Sequence, residues 1–505
     1  WPATAGPRPL PRGGAACYGH GMTSTAVRDL LVLGGGVNGA AIARDAAGRG
    51  LAVTLLESGD LGGATSSAST KLVHGGLRYL EFGELGLVRK ALVERELLLA
   101  AAPHISWPLP FLLPLVPGGR PGWMLAAGLL LYDHLARHRQ VPGACRVDLR
   151  AEPAGGALKP TLRHAFRFFD GWVDDARLVV LLARDARDRG ADVRVRDGAV
   201  RARLADGLFE VETASGHRVA ARHLVNATGP WAETVARDLL SLPDPPRLRL
   251  VQGAHLVTRR VNRTDEAFLL QQPDGRIVFL LPYGRDWSLI GTTETPVARP
   301  DDPAITPAEE AYLLAAANAV LARPLAPADI RHRFAGIRPL VLEEGKGERE
   351  TTRDWRFHAH AGVPATTVVG GKITTFRRLA EDLVSWLFPR TRPWTRGATL
   401  PGGAVPDLGG RTARANFLLW QRRLMARFAD HDPALVERLA GLYGTEAEAL
   451  LAGGLGERLP AGLFEAEAAH LAAHEFARTE EDMLWRRTKL ALMAGKRSPL
   501  HRVPA

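Results

Sequence analysis

The stretch Asp29-Leu30-Leu31-Val32-Leu33-Gly34-Gly35-Gly36-Val37-Asn38-Gly39 decides the fold. The unbroken apolar run from Leu30 to Leu33 reads as a strand. The glycines after it satisfy G-x-G-x-x-G at Gly34, Gly36 and Gly39, and an alanine-rich, helix-compatible run follows. In that context Gly34 makes the tight turn, Gly36 lets a diphosphate approach the backbone, and Gly39 permits close packing of helix on strand. The helix start, Asn38 included, presents free N–H groups and a positive dipole end to an anion. A second apolar run, Leu51 to Leu56, ends at Glu57, 18 residues beyond Gly39. An acid there accepts hydrogen bonds from both ribose hydroxyls and disfavours a 2′-phosphate. FAD and NAD share this fingerprint, so it does not choose between them.

Three further segments extend the pattern. Residues 63–79 (GATSSASTKLVHGGLRY) carry Thr65, Ser66, Ser67, Ser69, Thr70 and Lys71, then His74, Gly75 and Gly76, a loop able to thread past a large cofactor. His223 to Trp231 (HLVNATGPW) reads as a strand ending in a glycine turn, with Ala227, Gly229 and Trp231 placed to close over an adenosine. Val368 to Thr375 (VVGGKITT) repeats strand, glycines (Gly370, Gly371) and helix start (Thr374), and could present that start to a flavin ring.

Composition bounds the rest. The 505 residues suggest two or three domains, and 46% hydrophobic with 24% charged is a globular composition. Two cysteines, Cys17 and Cys145, exclude a disulfide framework, a four-cysteine zinc site and an iron–sulfur cluster. The net charge of +11 invites a nucleic-acid reading, but the basic residues are scattered and fit no binding motif, so nucleic acid is not an expected partner. Only seven of the 65 basic residues are lysine, and Lys71 and Lys372 are two of them. An arginine-favouring chain keeps lysine where a compact or titratable ammonium is needed.

Residues 1–25, rich in Pro, Gly and Arg up to residue 21, read as a disordered leader, with Met22 as a plausible natural start. Periodicity predicts a helix over Leu85–Ala101, an interruption at the proline-dense Pro103–Pro121, and a helix over 172–187. Strands are predicted around 193–195, 208–211, 218–225, 251–257, 277–281 and 287–291, the last three in a second, mostly antiparallel sheet. Amphipathic helices follow around 413–429, 434–452 and 464–493.

The motifs GGGVNGAAIARDAAGRG, ATSSASTKLVHGGLRYLE, YDHLARHR, WVDDARL, VNATGPW, GTTE, GIRPL, TTRDW, GGKITTFRRLAE and LWRRTKL together resemble the FAD-dependent glycerol-3-phosphate dehydrogenase family, from Asp29 to about Leu490. Leu61-Gly62-Gly63 departs from some relatives, which carry bulkier or thiol residues there. The resemblance implies an α/β FAD-binding, Rossmann-like domain of the D-amino-acid-oxidase-like superfamily, assembled from 26–105, 160–240 and 355–392. It also implies an antiparallel-sheet substrate or cap domain (106–159 and 241–354) and a C-terminal helical domain (393–505).

The implied reaction is oxidation of sn-glycerol 3-phosphate to dihydroxyacetone phosphate, with hydride passing from C2 to FAD and electrons on to a quinone. The implied place is the inner face of the cytoplasmic membrane, attached peripherally; a homodimer is left open. Arg78, Arg338 and Arg353, in HGGLRYLE, GIRPL and TTRDW, supply planar forks for phosphate oxygens, Lys372 adds a point charge beside a glycine turn, and the resemblance adds Tyr79 to the substrate-binding set. His255 is the expected base for the C2 hydroxyl proton, helped by Arg338 and Lys372, with His74 as its rival.

Two enzymatic alternatives stand beside this reaction. One is an oxidase that shares the same motifs and returns electrons to oxygen as peroxide. The other is an amine or amino-acid oxidase of the wider fold superfamily, which the several motif arginines disfavour because they suit phosphate over a lone carboxylate. A non-catalytic flavin-binding scaffold would not need His255, Arg338, Arg353 and Lys372 together. His470 and His474 stand one helical turn apart without a third ligand, so no metal site is expected. Trp107–Pro114 and Trp123–Tyr132, followed by Arg137, His138 and Arg139, suit either a membrane interface or a buried inter-domain connection.

Overall fold

A computed structural model describes residues 26–136, 140–301, 303–341 and 354–493. Arg353, Arg137, His138, Arg139 and the leader with Cys17 and Met22 lie outside the described residues.

The deciding stretch forms β1 (Arg28–Leu33), a glycine turn and α1 (Val37–Gly48), followed by β2 (Val53–Glu57). β1 is central in an eight-stranded sheet, flanked in parallel by β2 and by the strand Arg218–Asn226. Beyond them, Asp192–Val195 and Ala365–Val369 extend the parallel set. Leu30 to Leu33 are all buried because α1 and the helices Asp175–Asp188 and Phe376–Leu387 cover one face while a second apolar cluster around Phe209, Leu224 and Leu240 covers the other. Cover on both faces explains why this strand is apolar without interruption.

A ten-stranded, mostly antiparallel sheet stands beside it, in the order Thr295–Val297, Leu248–Arg259, Trp287–Gly291, Ile277–Tyr283, Ala267–Gln271, Ser106–Pro114, His164–Val173, Leu72–Val73. The strand Ile330–Val341 pairs with Leu248–Arg259 along its length. One face of this sheet packs on the helix Pro307–Asn318, and the other carries Ala68, Leu72, Val257 and Phe334. Helices Ala413–Arg427, Pro433–Tyr443, Ala447–Ala452 and Glu465–His474 form a separate C-terminal cluster.

Two expectations need correction. The proline-dense stretch is not an interruption, because Ser106–Pro114 is a nine-residue strand paired throughout with His164–Val173. Pro108, Pro110 and Pro114 share one parity, so their missing N–H groups all point away from that partner and the ladder loses nothing. Leu109, Phe111, Leu112 and Leu113 are buried there, which also removes this stretch from any membrane interface. Second, Trp172 and Val173 end a strand, and the helix begins only at Asp175, with the Asp174 side chain accepting from the Arg177 N–H as its cap. No helix among the described residues is long and apolar enough to cross a membrane.

Candidate functional site

At the carboxyl ends of β1 and β2 the glycine turn is held from two sides. Glu57 accepts from the backbone N–H of Gly35 at 2.6 Å and of Gly59 at 2.6 Å. Burial raises the pKa of this carboxyl, and those two N–H donors oppose the rise. Gly34 takes φ +102°, and a Cβ on Gly39 would fall 1.9 Å from the Gly34 carbonyl oxygen, so helix and turn touch backbone to backbone. The N-cap of α1, Gly36, has no side-chain capping bond. Asn38 Nδ2 donates to the Gly370 carbonyl at 3.2 Å, while its Oδ1 is buried with no partner among the described residues. A helix start whose N-cap is a glycine, an acid on the second strand and an orphaned amide oxygen beside the Gly370–Gly371 turn fit a flavin dinucleotide.

The hydroxyl-rich loop is a short 3₁₀ turn (Thr65–Ser67) that ends in the strand Leu72–Val73. Ser66 Oγ accepts from the Val37 N–H at 3.0 Å, tying the loop to the start of α1. Thr65 Oγ1 donates to the Ile337 carbonyl at 2.6 Å, tying it to the second sheet. Ser67 Oγ donates to Ala64 O, a bond within the loop. His74 N–H donates to Thr374 Oγ1 at 3.2 Å, and its ring meets Phe279 edge-on. Gly75 N–H donates to Tyr132 Oη at 2.8 Å, and Gly76 packs against the Tyr79 ring. Ala227 N–H donates to the Leu33 carbonyl, Gly229 takes φ +60°, and Trp231 Nε1 donates to Asp301.

Lys71 differs from expectation. Its ammonium is wholly buried against Asp175, with Nζ at 2.6 Å from Oδ2, and also donates to the Ser67 carbonyl at 2.7 Å. Burial lowers its pKa and Asp175 opposes that. The charge therefore knits the loop to the helix Asp175–Asp188 instead of facing a cofactor as a free cation. Ser69 Oγ donates to the same carboxylate at 2.7 Å.

On the facing sheet, alternation along Leu248–Arg259 turns Gln252 toward Glu309 of the helix Pro307–Asn318 and His255 toward the loop. His255 is 1% exposed, and its Nε2 lies 2.9 Å from Thr70 Oγ1. Burial first, then the charges of Arg338 and Lys71, push this imidazole well below its usual pKa. Arg338, on the neighbouring strand, donates from Nη2 to Thr292 Oγ1 at 3.2 Å, and the space of a Cβ on Gly253 is taken up by these same two side chains. Lys372 Nζ sits 3.9 Å from the centre of the Tyr79 ring, so these two predicted residues meet. Arg78 instead leans on Phe82, with its guanidinium 5.9 Å from the ring centre.

Sequence reasoning named Thr70 only as one hydroxyl of the loop and missed Asp175, Gly291 and Phe334, which act on the loop or on His255. The doubled acid of WVDDARL at a helix start was the one available signal for Asp175. His470 and His474 pack against each other and Glu475, and among the described residues no group of three or more His, Cys, Asp or Glu could hold a metal.

The family "FAD dependent oxidoreductase" matches residues 29–377, and "C-terminal domain of alpha-glycerophosphate oxidase" matches 394–500. The glycerol-3-phosphate dehydrogenase of Pseudomonas aeruginosa is 44% identical over 92% of this chain and 92% of its own. The D-erythritol 1-phosphate dehydrogenase of Brucella abortus is 42% identical over 91% of this chain and 94% of its own. The FAD complex of glycerol-3-phosphate dehydrogenase from Bacillus halodurans superposes with a TM-score of 0.73 at 27% identity, covering 92% of this chain and 86% of that one. The chain belongs to the FAD-dependent oxidoreductases and, within them, to the glycerol-3-phosphate dehydrogenase family.

Proposed function

We propose that this chain oxidises sn-glycerol 3-phosphate to dihydroxyacetone phosphate and delivers the electrons to a membrane quinone. The observation that carries the reading is His255, buried on the sheet face that meets the cofactor-binding loop, in hydrogen-bond contact with Thr70 and with its pKa held low by burial and by Arg338. FAD supplies the hydride acceptor when bound. The residues of the chain do the rest. Arg338, Lys372 and Arg78, with Arg353 from TTRDW, bind the phosphate and fix the C2 carbon. His255 stays neutral at pH 7 and takes the C2 hydroxyl proton as hydride leaves the same carbon. Arg338 and Lys372 stabilise the negative charge that develops on that oxygen. Burial of His255 keeps water from competing for the proton.

The acceptor and location rest on a surface. Trp123 (74% exposed) and Leu130 (64% exposed) project from the helix Gly122–His134, and exposed Phe82 and Leu85 lie on the adjoining segment. An aromatic and apolar patch of this kind supports shallow, peripheral seating in a bilayer, where a quinone dissolves.

The test is single-turnover flavin reduction under anaerobic conditions. His255→Ala and Arg338→Ala should each slow reduction by glycerol 3-phosphate about a hundredfold or more while FAD content holds. Near-parental rates in both variants would sink the assignment.

A further inference from the structure

Three contacts immobilise the His255 ring. On one side it stacks on Phe334, with ring centres 4.9 Å apart and planes at 9°. On the other lies Gly291, where an added Cβ would fall 2.1 Å from His255 Cδ2 and 2.6 Å from Nε2. At its edge Nε2 meets the Thr70 hydroxyl at 2.9 Å. Faces and edge are thus set by different elements, and Thr70 is the hydrogen-bonding one.

Thr70 is itself held by charge. It lies between Ser69 and Lys71, both of which donate to Asp175, buried at the start of the helix Asp175–Asp188. Lys71 adopts φ +62°, a conformation that disfavours a side chain with a Cβ. Its buried ammonium, fixed by Asp175 and the Ser67 carbonyl, holds the backbone there. Asp174, the preceding residue, pairs with Lys489 of LWRRTKL. The motifs ATSSASTKL, WVDDARL and LWRRTKL, which cofactor contact alone leaves unexplained, converge on this node.

We infer that Thr70 is a positioning residue for the reaction: its hydroxyl, fixed by the Lys71–Asp175 pair, orients His255 through Nε2 in both protonation states of the imidazole. Nδ1, the nitrogen that Thr70 does not contact, is the one left to take the substrate proton, so Nε2–H donates to the Thr70 hydroxyl before and after the transfer and one contact serves both states. The charged groups bearing on the ring are Arg338 from the neighbouring strand and Lys71 from the loop, with Asp175 compensating Lys71; Phe334 and Gly291 bring no charge. Without the hydroxyl the imidazolium loses an acceptor in a site already poor in negative charge.

This inference rests on His255 being the base, and the experiment separates the two. Thr70→Val, Thr70→Ser and His255→Asn are compared by anaerobic flavin reduction from pH 5 to 9, with FAD content measured on each. Thr70→Val should slow reduction about tenfold to a hundredfold with FAD retained, and should move the acid limb of the rate profile to lower pH. Thr70→Ser, which keeps the hydroxyl, should recover to within about threefold of the parent. A parental rate and pH profile in Thr70→Val alongside a slow His255→Asn would overturn the role of Thr70 and leave the base in place. Parental behaviour in both would remove the base as well. If valine costs FAD binding, Thr70→Ala is read by the same criterion.

Discussion

Arg487 in the C-terminal region donates to both carboxylate oxygens of Asp60, at 2.5 and 2.7 Å, and Asp60 lies three residues past Glu57 on the turn after β2. Arg486 binds the same carboxylate, and Arg487 also donates to the Glu475 carbonyl. The helical C-terminal region thereby grips the turn after β2 through buried charge. Arg487→Leu removes the bidentate partner of Asp60 and leaves Arg486 as its remaining cation, so the cost should fall below the roughly 3–5 kcal/mol of a buried charge left wholly unpaired. Thermal melting with and without added FAD should show a lower midpoint and a smaller stabilisation by FAD than in the parent. An unchanged midpoint would make the contact dispensable.

Glu57→Gln tests the turn. Each oxygen of Glu57 accepts from a backbone N–H, and an amide can satisfy only one of them while opposing the other with its own N–H₂. Flavin content after gel filtration should fall, with an FAD Kd raised about tenfold or more. Retention of FAD at the parental Kd would mean that the turn does not need the carboxylate.

Stability should decline in acid before the paired carboxylates titrate. Burial, aided by Arg177 and Arg414, holds His104 down to about 3, and burial holds His223 down to about 4. In the unfolded chain both titrate near 6.5. Stability from this source is fully present above about pH 6.5 and is lost as pH falls toward 4, because only the unfolded chain gains the protons. Between pH 6.5 and 5 the loss approaches about 2 kcal/mol per group. Urea midpoints at pH 7.5 and 5.0 should differ accordingly, and His104→Leu should shrink the difference. An identical difference in parent and variant would exclude His104 as a source.

Membrane seating is separable from chemistry. Trp123→Glu with Leu130→Glu should lower co-sedimentation with phospholipid vesicles at least severalfold while leaving anaerobic flavin reduction unchanged. Undiminished sedimentation would place the contact elsewhere.

How much of this was legible depends on the range of each interaction. β1, the glycine turn and Glu57 could be read directly, because strand, turn and acid lie within 30 residues and each has a local requirement. The strand Ser106–Pro114 was hidden, since its prolines are tolerable only once the parity of its pairing is known. Trp172 and Val173 match a helical period but belong to the strand His164–Val173, a case of tertiary pairing overriding local pattern. Lys71 stood out as a rare lysine, yet its partner Asp175 lies 104 positions away, and nothing in the chain itself pairs them. Thr70 was one hydroxyl among five until the fold set it against His255.

The most direct measurement is the flavin spectrum of the purified, FAD-loaded protein under anaerobic conditions. Glycerol 3-phosphate should bleach the flavin, glycerol should not, and a quinone analogue should restore the colour without forming peroxide. D-erythritol 1-phosphate, titrated alongside, should bleach it more slowly at equal concentration. No bleaching by glycerol 3-phosphate, or equal bleaching by glycerol, would contradict the proposed function.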